Sequence, residues 1–153
     1  MERNRRLIRS GFLLLTVVAC SFLASCGGEA GPPKKSTVPV KGQFFYRAQP
    51  AEGAMLFFQP QDGSKGEDWT NGYPRATVAA DGSFVVGTYE EADGAPPGEY
   101  IVTSSWPAVA TGKEESEETP PDRFRGRFLD ASTSPLKATV AETSTELPRF
   151  DLK

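Results

Sequence analysis

The sequence contains no histidine. That removes the usual general base at neutral pH, every histidine-centred triad and the commonest nitrogen ligand of zinc. Cysteine is nearly absent too, with 2 in the whole chain. Cys20 sits inside an apolar opening segment, so loss of that segment leaves Cys26 alone and excludes an intramolecular disulfide. No apolar run reaches the roughly 20 residues of a membrane-spanning helix. No stretch of useful length carries a helical period, and no segment repeats.

What is present begins with charge. "MERNRRLIRS" sets Arg3, Arg5, Arg6 and Arg9 against Glu2, and "GFLLLTVVACSFLAS" follows directly. A basic start, an apolar middle and small residues at the end form an export-signal pattern. Leu23, Ala24, Ser25 and Cys26 resemble the bacterial lipobox. That resemblance implies a thioether-linked diacylglycerol on Cys26 and cleavage just before it, so 1–25 is expected to be a lipoprotein signal peptide. Small side chains at Ala24 and Ser25 let an extended backbone enter a peptidase cleft, and Cys26 supplies the nucleophilic sulfur. One acyl chain such as palmitate binds a bilayer only marginally, whereas two or more hold firmly. Gly27 in place of Asp after the anchor favours the outer membrane over the inner one.

Cleavage takes four arginines and one glutamate from 17 basic and 20 acidic residues, leaving 13 and 19 and a net charge of −6. Such a surface repels polyanions, which argues against nucleic acid as a partner. "GGEAGPPKKSTVP" lacks apolar periodicity and is rich in Gly and Pro, so 26–37 reads as the lipidated cysteine and a flexible linker. Lys34 and Lys35 are expected to be solvated linker charges.

From Val38 the apolar residues recur at every second position, the mark of half-buried strands. Val38, Val40, Phe44 and Tyr46 share a face, as do Ala54, Leu56 and Phe58 ahead of Pro60. "YPRATVAADGSFVVGTY" reads as a hairpin, with Ala76 and Val78 on one arm, Asp81 and Gly82 at the turn, and Phe84, Val86 and Thr88 on the other. Tyr100, Val102, Ser104 and Trp106 point one way, and Leu136, Ala138 and Val140 another set. Leu147 is followed by Phe150 and Leu152 on shifted parity, which predicts a bulge near Pro148. The expected fold of 38–153 is therefore all-β: an antiparallel seven-stranded β-sandwich.

"PVKGQFFYRAQPAEGAMLFFQP", "ATVAADGSFVVGTY" and "GAPPGEYIVTSSWP" resemble the opening strands, Asp-Gly hairpin and Pro-Pro-Gly-x-Tyr strand start of carboxypeptidase-regulatory-like (transthyretin-like, prealbumin-like) domains. With the lipobox and the closing "DRFRGRFLDASTSPLKATVAETSTELPRFDL", the whole chain is similar to small planctomycete-type bacterial lipoproteins built on that domain. The resemblance implies an accessory or binding module at the cell envelope, without cofactors. Transthyretin-like hydrolases depend on histidines and a characteristic C-terminal tetrapeptide; here the end is "FDLK", and that activity does not transfer. Related domains with internal isopeptide bonds need a strand lysine facing an asparagine and an acid. Lys41 is the available amine, but Asn71, the sole asparagine after the signal, lies in a loop, so no such cross-link is expected.

Trp69 and Tyr73, in "GEDWTNGYP", are the candidate ligand-binding residues. They would either stack on a sugar or a partner peptide, or fold back as a lid over one end of the sandwich, and the lid is favoured. Trp106 continues an inward parity and is expected in the core. Glu114, Glu115, Glu117 and Glu118 lack the spacing of a calcium loop and read as solvated, as do Glu90, Glu91 and Asp93, so no metal site is expected. Phe124 and Phe128 should plug the sandwich while Arg123, Arg125 and Arg127 pair with Asp122 and Asp130; an anion-binding patch is the alternative. Ser132 and Ser134 have no visible base, and no catalytic residue is assigned. These features describe a membrane-anchored, non-enzymatic structural or protein-interaction module of the cell envelope, partnered by the membrane through its lipid and by an envelope protein or polysaccharide. A carbohydrate-binding lipoprotein and a hydrolase with an unrecognised carboxylate or serine site are the alternatives.

Overall fold

Alternating apolar residues build the first strand, β1 (Val40–Tyr46), whose Val40 and Phe44 are buried while Lys41 and Gln43 face water. In the computed structural model the described residues are 31–108 and 121–153. Leu23 to Cys26 and the glutamates Glu114 to Glu118 lie outside them. Residues Pro32–Lys153 form one compact unit.

β1 is the centre of a five-stranded sheet. One edge carries β2 (Gln49–Pro50) and, further along the chain, β5 (Ser83–Val85), both antiparallel to β1. The other edge carries β8 (Thr145–Glu146) and β9 (Phe150–Leu152), both parallel to it. The second sheet is antiparallel throughout, in the order β4 (Arg75–Thr77), β3 (Met55–Pro60), β6 (Gly98–Ser105), β7 (Lys137–Val140).

The all-β architecture in two sheets agrees with the sequence, but three details differ. The described residues form nine strands rather than seven. β2 has no Asn-Gly signal, yet Arg47 (φ 50°) and Ala48 (φ 64°) form the two-residue turn with positive φ that the right-handed strand twist favours. The closing segment splits into β8 and β9 because Lys41 pairs with Glu146 while Phe44 pairs with Phe150, so one extra residue is inserted on the later strand. That insertion is the expected bulge, and it keeps Leu147, Phe150 and Leu152 all buried. Parallel pairing with β1 replaces the expected antiparallel pairing, because the final segment crosses from the second sheet and enters beside β1 in the same direction.

The expected Asp81–Gly82 hairpin does not form as one ladder. Its turn is present, with the Gly82 N–H donating to the Ala79 carbonyl at 2.9 Å. The arms then diverge into different sheets. Val78 N–H bonds the Ala54 carbonyl at 2.9 Å, keeping the first arm beside β3, while Val86 N–H bonds the Val40 carbonyl at 2.9 Å and ties the second arm to β1. The arms meet again only at Arg75 and Gly87, which exchange two hydrogen bonds of 2.9 Å and close that flank of the sandwich.

Between the sheets lies a continuous run of rings. Tyr100 packs on Phe58, Phe58 on Phe84, Phe84 stacks on Phe150, and Phe150 meets Phe44. Phe44 meets Phe124, whose ring also touches Tyr46, Trp106 and Phe128. As the sequence predicts, Phe124 and Phe128 plug the interior from the crossover, with exposures of 1% and 5%. Each full burial of such a ring contributes roughly 1.5–3 kcal/mol. The same short motif stabilises three turns: Asp62, Asp81 and Asp130 each accept the backbone N–H and the hydroxyl of a serine two residues later.

Candidate functional site

The segment Pro32–Lys35 does not behave as the free linker that its composition predicts. It lies across the pole of the sandwich where β3 ends and β6 begins, and it is held by side chains from two connections, β3 to β4 and β5 to β6. Thr70 Oγ1 donates to the Pro32 carbonyl at 3.0 Å. Lys35 N–H donates to the Tyr89 hydroxyl at 2.7 Å, and the Lys34 ammonium stands 5.3 Å from the centre of the Tyr89 ring. The Lys35 ammonium lies 4.3 Å from the centroid of Trp69 and 3.6 Å from Asp62 Oδ2. Lys35 and Asp62 keep 41% and 59% of their side-chain surface in water, so this ion pair is worth about 0–1 kcal/mol. The cation over the ring adds a comparable amount.

Each member of this seat is positioned by its own turn. Asp62 is fixed by Ser64, whose hydroxyl and N–H hold its carboxyl below the usual carboxylate range, with Lys35 adding to the effect. Trp69 follows a short 3-10 helix, Gly66–Asp68, in which Asp68 accepts the Lys65 N–H at 2.6 Å. The Tyr89 carbonyl accepts from Asn71 Nδ2 at 2.8 Å, and Asp93 accepts the N–H groups of Thr88 and Tyr89 at 2.6 and 3.1 Å. Asp93 is thus a turn-fixing acceptor rather than the solvated charge expected. Glu90 and Glu91 are exposed as predicted.

Beside Lys35 an open pocket of about 370 Å³ remains, walled by Trp69, Tyr100, Pro60, Pro96 and Pro97 and edged by Asp62 and Glu99. The Tyr100 hydroxyl is buried and donates to the Pro96 carbonyl at 2.6 Å; burial pushes its ionisation well up, reinforced by the charge of Asp62. The pocket wall is built largely of aromatic and proline rings, with Lys35, Asp62 and Glu99 at its rim.

Trp69 is only 4% exposed, so its ring is not a free stacking platform. It folds back over the sandwich end, which is the lid alternative. Its Nε1 is buried with no acceptor among the described residues. Tyr73 is half-buried against Gly66, with its hydroxyl 3.5 Å from the Ser64 carbonyl. The two candidates belong to one loop but form no joint surface: Trp69 faces Lys35, and Tyr73 supports the turn beneath it. Sequence reasoning missed Lys35, Asp62 and Tyr89, because they meet only when the pole assembles.

At the opposite pole Trp106 is half-buried rather than fully in the core, with Nε1 donating to the Glu52 carbonyl at 2.7 Å. The expected pairing of Arg123, Arg125 and Arg127 with Asp122 and Asp130 is absent among the described residues. Asp122 instead accepts the N–H groups of Trp106 and Gly126 at 2.6 and 2.7 Å, and Asp130 is taken by Ser132. Backbone N–H groups and a serine hydroxyl therefore satisfy these short carboxylates in place of the arginines. Arg123 lies over Trp106 at 4.8 Å, and Arg127 over Phe128 at 5.3 Å. Lys41 pairs with Glu146 at 3.0 Å on the surface. The Ser132 hydroxyl donates to Asp130 at 2.8 Å within an exposed turn, where the carboxyl is held below its ordinary value and is a weak base, and the Ser134 hydroxyl donates to the Val102 carbonyl. A broader depression of about 650 Å³ covers the β4 and β5 flank around Met55 and Val85. Among the described residues there is no cluster of three or more potential metal ligands, and no helix is long and apolar enough to cross a membrane.

No family model matches the chain, and neither does any curated protein. Among solved structures, the major pilin subunit BcpA of Bacillus cereus superposes with a TM-score of 0.45 and 13% identity. The match covers 76% of this chain and 30% of the pilin, well under half of that protein's length.

Proposed function

We propose that the chain is a lipoprotein of the cell envelope in which Cys26 carries the lipid and the β-sandwich acts as a non-enzymatic structural or protein-interaction module. The supporting observation is the relation between the lipobox and the seat. Cys26 precedes Lys35, where the chain is clamped to the domain, by so few residues that an extended backbone spans at most about 30 Å. Lipid on Cys26 would hold the domain close to the bilayer, on the outer membrane by preference, with the Trp69 pole on the tethered side and the Trp106 pole turned outward. The burial of Trp69 weighs against the carbohydrate reading, which needs an open aromatic face. The engaged hydroxyls of Ser132 and Ser134 weigh against a serine hydrolase.

Fractionation of cells producing the protein and its Cys26→Ser variant tests this. The natural chain is expected in the membrane fraction, resistant to salt and released by detergent, and the variant outside that fraction or retained as uncleaved precursor. Identical processing and distribution of the two would overturn the proposal.

A further inference from the structure

We propose that the seat formed by Asp62, Trp69, Thr70 and Tyr89 is a recognition site for an extended lysine-bearing segment of another envelope protein. The chain's own Pro32–Lys35 occupies it in cis. This names the partner chemistry of the interaction module proposed above.

Pro32–Lys35 shows what the seat reads. Two contacts are to backbone and carry no side-chain information: the Thr70 hydroxyl to the Pro32 carbonyl and the Tyr89 hydroxyl to the Lys35 N–H. They hold a segment extended, a conformation that a preceding Pro-Pro enforces. The other contacts read charge. One ammonium lies over Tyr89, and the next lies over Trp69 within reach of Asp62. A cation over an aromatic face with a carboxylate alongside selects an alkylammonium or guanidinium and rejects neutral or anionic groups. Asp62 and Glu99 at the rim, on a mature chain of net charge −6, extend that preference outward.

Two features make exchange feasible. The charged contacts are exposed, so each contributes little, and the cis segment competes through a millimolar effective concentration rather than through tight binding. A pocket of about 370 Å³ stays open beside the seated lysine, room that the cis segment leaves unused.

The test uses the purified mature chain, in detergent if lipidated, labelled with ¹⁵N. The chain has 2 tryptophans, so it gives two indole N–H signals. Trp106, bonded to Glu52 at the far pole, serves as the internal reference. The probe is the peptide acetyl-GPPKKS-amide, added to a Lys34→Ala, Lys35→Ala double variant whose unaltered Trp106 signal reports that it is folded. The Trp69 signal is expected to shift saturably while Trp106 stays still, and the natural chain should need about tenfold more peptide because its own segment competes. Acetyl-GPPQQS-amide should give no shift, and Asp62→Asn in the double variant should weaken binding by up to about fivefold. Tyr89→Phe, which keeps the ring and removes the hydroxyl, should weaken it as well. Absence of a Trp69 shift in the folded double variant, or an equal response to the glutamine peptide, would overturn the proposal. A response to spermidine as strong as that to the peptide would assign the site to free polyamines and overturn the peptide reading. None of these outcomes depends on Cys26, so failure here leaves the anchoring question to its own experiment.

Discussion

The backbone N–H of Lys35 donates to the hydroxyl of Tyr89 at 2.7 Å, across 54 positions of sequence. This contact ties the segment ahead of the first strand to the loop that follows β5. Protection of that segment follows. Trypsin should cleave after Lys34 and Lys35 more slowly in the natural chain than in Trp69→Ala or Asp62→Asn, read from the mass of the product at early times. Asp62→Asn should change global stability by no more than about 1 kcal/mol, because the pair it breaks is exposed. Equal cleavage rates in all three proteins would mean that the seat does not hold its segment in solution.

Gly94 has φ +90°, and a Cβ there would collide with the carbonyl of Val38, whose N–H in turn bonds the Ala95 carbonyl at 2.9 Å. Gly53 has φ +79° but open space where its Cβ would stand. Gly53→Ala should therefore cost about 1–2 kcal/mol from backbone strain alone, and Gly94→Ala distinctly more, because the first strand must also move. Urea denaturation of both variants checks the order. Equal costs would contradict the close approach of the two chain segments.

Phe44 is fully buried and edges onto both Phe124 and Phe150, linking the crossover plug to the parallel edge strand. Phe44→Ala should destabilise by about 3–5 kcal/mol through lost burial and the cavity left behind. Leu129→Ala, at 52% exposure on the same crossover, should shift stability by less than about 0.5 kcal/mol. Thermal or urea midpoints separate the two.

The pH dependence is set by aspartates and one tyrosine. Asp62, Asp81 and Asp130 are held below their ordinary value of 3.8, chiefly by the hydroxyls and N–H groups of Ser64, Ser83 and Ser132. A folded value lowered in this way contributes stability that is fully present above the unfolded value and is lost as pH falls through the folded one. Tyr100 runs the other way. Its ionisation is raised above 10.0, chiefly by burial, so its contribution is complete below about pH 10 and is lost as pH rises further. With no histidine, no side chain has an ordinary pKa between about 5 and 8. The urea midpoint should be flat from pH 5 to 8, then fall below pH 4 and above pH 10, and Tyr100→Phe should remove part of the alkaline loss. A midpoint that slides between pH 5 and 8 would contradict this.

The strands were legible because period-two alternation survives in short segments: Val40 and Phe44, Leu56 and Phe58, Tyr100 and Val102, Ala138 and Val140 all face inward as their spacing predicts. The parity shift between Leu147 and Phe150 likewise announced the bulge, since one inserted residue is the simplest way to keep both buried. Sheet membership was not legible. Asp81 and Gly82 specify a turn, but the turn does not say whether its arms pair with each other or with strands recruited from elsewhere. β2 was hidden because Arg47 and Ala48 adopt positive φ without the residues that usually advertise it. The seat was hidden for a different reason. A lysine in a proline-rich stretch reads as solvated until Asp62, Trp69 and Tyr89 are brought to one pole, and nothing local in the sequence of any of them signals that meeting. Arg123 and Arg127 misled by proximity: Asp122 and Asp130 are near in sequence but their oxygens are already engaged by backbone N–H groups.

Lipidation is read most directly from the intact mass of the chain purified from the membranes of its own cells, with fragmentation of its N-terminal peptide. The expected product is a chain that begins at Cys26 and carries the mass of a diacylglyceryl group, with or without a further acyl chain on the amino group. A mature N-terminus elsewhere, or an unmodified thiol on Cys26, would contradict it.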